Sequence, residues 1–362
     1  MSIRRPRIGR REEKMKLTRR VILSAAVAAA MLAQPLVAAA QDLPRNVRLV
    51  IGSGSTGGDT YQAASLVADA LAKQLGVNIK VDAVGASEAF KAVGRDKRGT
   101  TIMLHHDQSY LASLYGVAGS PDPFEGFVVG PTLAINPGNA YLVAKNSPYQ
   151  TMADVLKAAE DGQKVRVAIQ PGGVSEIGFS ALKSAARATA PGSEENIVAV
   201  NTGDQADKNQ AMFDGLADMI NGSIQANEQF AELPDDDQKA MRFIWITATP
   251  EALEQGPEAG VGNMTRADML KYASPETRVP RPNGEDFTFD KEFFLIYNKD
   301  MDPAQMETVD AALAQVFQQD ELKNRLLEAF FIPDYRPLAE ASAHLKEKRD
   351  AYAEIIGNLT AQ

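Results

Sequence analysis

Ser53-Gly54-Ser55-Thr56-Gly57-Gly58-Asp59-Thr60 follows the apolar run Val47-Arg48-Leu49-Val50-Ile51, which reads as a buried β-strand. It precedes Tyr61 to Leu75, where apolar residues recur at 63/64, 66/67, 70/71 and 75, the spacing of one helical face. A strand that ends in glycines and leads into a helix leaves backbone N–H groups pointing at one spot beside a positive helix end. That spot suits an anion. The same residues spell Gly52-x-Gly54-x-x-Gly57, a dinucleotide fingerprint, with Asp82 near the position of a ribose-binding acid. A third reading needs no ligand: the glycines serve only a turn of positive φ and close packing.

The same theme returns later in the chain. Lys164 to Ile169 reads as a strand, Gln170-Pro171-Gly172-Gly173-Val174-Ser175 as a glycine loop, and Glu176 to Ala190 as an amphipathic helix. A strand over Ile197 to Asn201 then runs into Thr202-Gly203-Asp204. A helix over Gln205 to Leu216 and a strand over Ala217 to Ile220 follow, the latter ending at Asn221-Gly222-Ser223. Between the two themes, Ile79 to Ala83 and Gly99 to Leu104 read as strands flanking a short helix, Ala86 to Val93. The alternation of β and α predicts parallel sheets with helices on their faces.

Ligands in such sheets bind beyond the carboxyl ends of strands. His105-His106-Asp107-Gln108 lies at one such end, and of the two histidines His106 is assigned to the cleft. Neighbours in an extended segment point to opposite faces, so the pair does not form a metal site by itself.

Further strands are expected at Phe127 to Gly130 and Ala140 to Ala144, around a turn region from Pro131 to Gly138. Thr151 and Asp154 form the signature of a capping box before a helix from Met152 to Glu160. Phe243 to Thr247 reads as a strand returning to the first lobe, so the chain crosses between lobes twice. Asp302 and Pro303 open a helical C-terminal region. The lobes are therefore expected at residues 43–145 plus 245–362 and at 146–244.

The first 40 residues have the pattern of an export signal. Nine basic residues precede the apolar run Val21 to Val37, which ends in Ala38-Ala39-Ala40, so cleavage is expected near Ala40. Met15 is an alternative start, and Arg19-Arg20 is compatible with a twin-arginine route as well as the general one. These residues carry nine basic and two acidic side chains, so without them the formal charge falls from −9 to −16. A chain this acidic has no electrostatic reason to sit on nucleic acid. There is no cysteine, hence no disulfide framework and no thiolate site.

Catalytic patterns are missing from the sequence. Neither glycine loop has the G-x-S-x-G spacing of a hydrolase elbow. No P-loop lysine follows either loop, and the three histidines, at 105, 106 and 344, supply no triad. The residues read as a binding protein without cofactor or metal.

Taken together, Thr56-Gly57-Gly58-Asp59, the second loop Ala168 to Ser175, and the ending from Met301-Asp302-Pro303 through Asp320-Glu321-Leu322 to Tyr352-Ala353-Glu354-Ile355-Ile356 resemble the solute receptors of tripartite tricarboxylate transporters, the Bug family. The chain departs from that family in having Gly54-Ser55-Thr56 where prolines are usual, in a shortened glycine loop at Gly85-Ala86-Ser87, and in a longer segment from Pro250 to Asp286. The opening Gly-Ser-Gly-Ser-Thr-Gly-Gly also looks like receptors of TRAP-type carriers.

The resemblance implies a two-lobed α/β protein of the type II-like periplasmic binding class, each lobe a mostly parallel sheet flanked by helices, with the ligand between lobes. It implies capture of a small di- or tricarboxylate or aromatic acid, and delivery to membrane subunits in the periplasm by a monomeric receptor. The expected contact residues are Ser53, Ser55, Thr56, Gly57, Gly58, Asp59, His106, Gln170, Gly172, Gly173, Val174, Ser175, Thr202 and Asn221. For Asp59, ligand contact and helix capping are both open.

Overall fold

A computed structural model describes residues 43–360, with side chains to residue 357; the export-signal pattern lies outside the described residues. The first half of the chain lays down strand β1 (Asn46–Ile51), helix α1 (Asp59–Leu75), β2 (Asn78–Ala83), α2 (Ala86–Arg95), β3 (Thr101–His106), α3 (Gln108–Leu114), β4 (Phe127–Asn136) and β5 (Ala140–Ala144). The glycine theme then repeats in α4 (Met152–Glu160), β6 (Val165–Ile169), α5 (Val174–Thr189), β7 (Ile197–Asn201), α6 (Gln205–Phe213), β8 (Ile220–Gly222), α7 (Ile224–Ala231) and β9 (Met241–Ile246). The chain closes with β10 (Lys291–Asn298), α8 (Pro303–Gln318), α9 (Asp320–Glu328), β11 (Ile332–Arg336) and α10 (Leu338–Thr360).

Six strands form one sheet in the order β11-β4-β10-β3-β1-β2. Its β2-β1-β3 portion is parallel, as βα crossovers require, and β10 enters antiparallel to both β3 and β4. A second group holds β8-β5-β9 and the parallel pair β6-β7. The two parts of that group are continuous, because Ala168 N–H donates to the carbonyl of Met219 just before β8 (2.9 Å). Apolar side chains of α1 and α8 pack on one face of the first sheet around Leu49, Leu104 and Leu295. Another core cluster runs from Val50 and Met103 of the first sheet to Tyr141 and Trp245 of the second, so burial couples the two.

Three local readings differ from the sequence expectation. Pro131 does not end a strand: β4 continues to Asn136, and one extra residue near Gly130-Pro131 is absorbed as a bulge against β10. Phe243–Thr247 does not return to the first sheet, since β9 pairs antiparallel with β5. Strand β11 and helix α7 were not legible; β11 carries Pro333 and lies at the sheet edge, where a missing N–H costs nothing. The capping box of Thr151 and Asp154 is present, and Asp302 accepts from Ala304 N–H at the start of α8 (3.0 Å).

The segments that pass between the sheets are bonded side by side. Asn139 N–H donates to Thr247 Oγ1 (2.7 Å), and Thr247 N–H donates to the Asn139 carbonyl (2.9 Å). Thr247 Oγ1 donates to the carbonyl of Phe289 (2.9 Å), whose own N–H returns to the Thr247 carbonyl (2.7 Å). Gly138 lies against this stack with φ of 61°, and a β-carbon there would sit 2.3 Å from the backbone nitrogen of Ala248. Gly138→Ala is therefore expected to cost on the order of 2–4 kcal/mol, from the positive φ and the backbone clash together. Thermal unfolding of the variant checks this, and an unchanged melting temperature would show that the crossing tolerates a side chain.

Candidate functional site

Each glycine loop joins a buried strand to a long helix. The first leads from β1 into the 17-residue α1, whose N-cap is Gly58 with extended dihedrals and no side-chain cap. The second leads from β6 into the 16-residue α5, capped by Gly173 in the same way. Two helix N-termini of this length, uncapped by side chains, keep their partial positive charge directed at the loop.

The first loop is exposed and partly self-bonded. Ser55 N–H donates to Ser53 Oγ (3.1 Å), and Gly57 N–H donates to Ser55 Oγ (3.2 Å). Gly57 and Gly58 have ordinary negative-φ backbone, so close approach, not unusual dihedrals, is what glycine offers there.

Asp59 does not cap α1. It is the first helical residue, and its Oδ2 accepts from Asn136 Nδ2 (2.7 Å) and from Lys291 Nζ. Burial opposes its ionisation, but the Lys291 ammonium and these hydrogen bonds outweigh that and hold the carboxyl below its usual range. The acid of the first loop is thus half of an ion pair.

Of the two histidines, His105 lies under the first loop, its ring occupying the space where a side chain at Gly52 would be. Both of its ring nitrogens are buried without a partner among the described residues. Burial, reinforced by Lys291, pushes its pKa down to about 3, so the ring is neutral. His106 is turned to Phe293, with ring centroids 5.7 Å apart in an edge-on arrangement, and its Nδ1 accepts from Gln108 N–H (3.3 Å).

The second loop is buried and closed on itself. Ser175 Oγ accepts from Gln170 N–H (2.8 Å), and Gly173 N–H donates to the Gln170 carbonyl (2.9 Å). Gly172 has φ of 71° and abuts Val117 and Ala112 at the end of α3, so this loop touches the first half of the fold. The Gly172 N–H is taken by the Glu176 carboxylate (2.5 Å), whose pKa burial raises. Val174 is held from the crossing segment, its carbonyl accepting from Asn139 Nδ2 (2.9 Å). Thr202 N–H and Oγ1 both donate to the Ile169 carbonyl (2.8 and 2.9 Å), tying the end of β7 to the end of β6.

Asn221 is fully buried and brings in a residue that the sequence reading passed over. Its Oδ1 accepts from Lys208 Nζ (3.1 Å), and Lys208 is itself only 6% exposed. Lys208, Ala211 and Met212 are the buried face of α6, so the signal was a charged residue at an i, i+3, i+4 apolar position. Burial lowers the Lys208 pKa to about 7, helped by Lys291 and opposed by Asp204 and Asp59. Lys208 of the second group of strands is thus in the electrostatic field of the Asp59–Lys291 pair under the first loop.

A cavity of about 350 Å³ lies elsewhere, lined by Lys145, Glu228, Arg242 and Tyr272 among others, and none of the expected contact residues is in its wall.

No protein-family model and no curated protein sequence matches the chain. Solved structures do match. A protein of Rhodopseudomonas palustris described as Rpa4515 with adipate superposes with a TM-score of 0.64 at 15% identity, over 86% of this chain and 97% of that one. MatC from the same organism, with bound malate, gives 0.63 at 17% identity over 86% and 98%. The periplasmic binding protein BugD gives 0.62 at 13% identity over 86% and 97%. The chain has the α/β fold of these two-lobed periplasmic binding proteins, as the sequence resemblance implied.

The buried lysine makes a prediction for the ligand-free protein. Its folded pKa lies below its unfolded value of 10.5, so folding favours the neutral amine; stability is fully present above about pH 10.5 and falls as pH drops toward about 7. Lys208→Met removes that penalty, and is expected to raise stability by a few kcal/mol at about pH 7, since each tenfold change in the ionisation equilibrium is worth roughly 1.4 kcal/mol, with a smaller gain near pH 10. Urea unfolding of both proteins at the two pH values measures it; a gain independent of pH would mean the ammonium is not desolvated.

Proposed function

We propose that this chain is an exported solute receptor that captures a small organic carboxylate between two lobes and presents it to the membrane subunits of a tripartite transporter. The observation that carries this reading is the repeated strand, glycine loop and uncapped helix N-terminus, once on each group of strands. Such termini favour negative charge, and hydrogen bonds to a charged acceptor contribute roughly 1.5–3 kcal/mol each. Malate and adipate, bound by proteins of this fold, are of the proposed class.

The lobes meet where the chain crosses, at 137–139 and in 247–290, with β5 and β9 moving with the second lobe. Closure is a hinge motion, and the solute drives it only by binding the closed state better than the open one. The function is binding without catalysis, in the periplasm, after removal of the export signal. Contact residues are proposed from the first loop, Ser53 to Gly58, and from Gln170, Gly172, Gly173, Val174, Thr202 and Asn221; Asp59 is hydrogen-bonded to Asn136 and Ser175 to Gln170, and His106 packs on Phe293 and on His105 beneath the first loop.

The test is thermal unfolding of residues 41–362 with malate, adipate, citrate and benzoate, and with succinamide as a neutral control. A solute at about 100 times its Kd stabilises by about 2.7 kcal/mol, a rise of several degrees for a chain of this size. Gly57→Val meets open space, its nearest neighbour being Ser55 Oγ at 3.8 Å, so the variant should fold normally and bind at least tenfold more weakly. Chelator should leave binding unchanged. No stabilisation by any of the four acids would overturn the receptor reading, and equal binding by Gly57→Val would remove the first loop from the site.

A further inference from the structure

We propose that Lys208 is the charge-matching residue of the solute site, its ammonium pairing with a carboxylate of the captured solute. This rests on the receptor reading and names the group that selects an anion over a neutral analogue.

The geometry begins with an imbalance among the buried ammonium groups. Lys291 pairs with Asp59. Lys348 sits 2.7 Å from both Asp107 and Glu292. Lys208 forms no ion pair among the described residues, and its hydrogen-bond partner is the neutral amide oxygen of Asn221. Burying a cation without a counter-charge is costly, and chains tolerate it where an anion arrives later.

The position fits such an arrival. Asn221 lies in β8, and Lys208 follows Thr202 and Asp204 at the end of β7, so the ammonium lies at the carboxyl ends of the second group's strands. The charges acting on it come from three directions: Lys291 at the start of β10, Asp59 at the start of α1, and Asp204 at the N-cap of its own helix. Lys291 and Asp59 largely cancel, being paired with each other, and Asp204 is exposed. The net local charge is therefore that of Lys208. By the Asp59–Lys291 pair, which acts on Lys208, Asn136 Oδ1 and both nitrogens of His105 are also buried without partners among the described residues, as at a site built for a guest.

Capture then carries a proton. Near neutral pH the free receptor holds Lys208 partly neutral, and an incoming carboxylate favours the ammonium, so binding above neutrality takes up a proton and weakens as pH rises.

The experiment is titration calorimetry with malate and adipate on wild type, Lys208→Met and Lys208→Gln, at about pH 7 and about pH 9, in two buffers of different ionisation heat. For wild type, the Kd is expected to rise roughly tenfold per pH unit above neutrality, with uptake approaching one proton per solute. Lys208→Met should bind about tenfold or more weakly at about pH 7, show no proton uptake and lose the pH dependence. Replacing one solute carboxylate by a carboxamide should cost wild type the same factor and cost Lys208→Met little.

Circular dichroism and ligand-free melting establish that both variants fold; Lys208→Gln separates loss of charge from loss of hydrogen bonding to Asn221. Binding of malate or adipate by wild type with flat pH dependence, or at unchanged affinity in folded Lys208→Met, would overturn the assignment of Lys208 while leaving the receptor reading intact. Failure of wild type to bind either acid, or the other acids of the thermal panel, would overturn both.

Discussion

The bonded stack of crossing segments, Asn139 on Thr247 on Phe289, sets what the two groups of strands can do relative to each other. A hinge must bend without losing backbone hydrogen bonds, because each orphaned buried group costs about 1–3 kcal/mol. Here the Thr247 hydroxyl and backbone together hold both neighbours, so the three segments form one hydrogen-bonded ribbon, and the proposed closure would have to bend it as a unit. The Asn139 side chain extends the ribbon to the carbonyl of Val174, the first residue of α5. The second glycine loop is thus tied directly to the crossing segments.

A second constraint fastens the C-terminal helix. Lys348 of α10 reaches Asp107 at the end of β3 and Glu292 in β10, and His344 Nε2 lies 2.8 Å from the other oxygen of Glu292. Burial opposes ionisation of Glu292, yet Lys348 and His344 hold its pKa at about 2. Asp107 also accepts from Tyr110 Oη and from Glu292 N–H (2.5 and 2.7 Å). This network saturates its own hydrogen bonds, so its charges are committed to locking α10 across β3 and β10. No charge is left over for a guest, in contrast to Lys208.

Much of the first half of the fold was legible because its signals are local. A buried strand, a glycine loop and a helical apolar periodicity follow one another directly along the chain, and β1, α1, β2, α2 and β3 appear close to where the pattern puts them. What was not legible is set by partners far along the chain. The apolar run at Phe243 says strand but not which sheet, and β5 rather than a strand of the first sheet is its neighbour. The region after Asp302 is expected to be helical, and only pairing with the edge of β4 makes Ile332–Arg336 a strand. At the site, the glycine loops announce themselves, whereas Lys208 and Lys291 belong to a helix and a strand whose inward faces must be known first. The lysine at 208 was nonetheless encoded, since an ammonium on the face shared by Ala211 and Met212 has to meet something polar inside.

The two loops are chemically unequal despite their common pattern. The first is exposed, its hydroxyls satisfy its own turn, and its nearest acid is neutralised by Lys291. The second is buried and already gives one N–H to the Glu176 carboxylate, which is held at the positive end of α5. A negative guest would meet open, neutral donors on one side and, on the other, a loop whose field is partly spent on its own acid. Backbone dipoles alone would then favour the first side. An uncompensated ammonium behind the ends of β7 and β8 would restore attraction on the second, and in a chain whose formal charge is −16 without its first 40 residues it acts only at short range, where burial prevents solvent and salt from screening it. The acidic surface and the buried lysine therefore do not oppose each other: one governs the long-range field and the other the contact, and in the proposed receptor a carboxylate between the lobes would be held by the second.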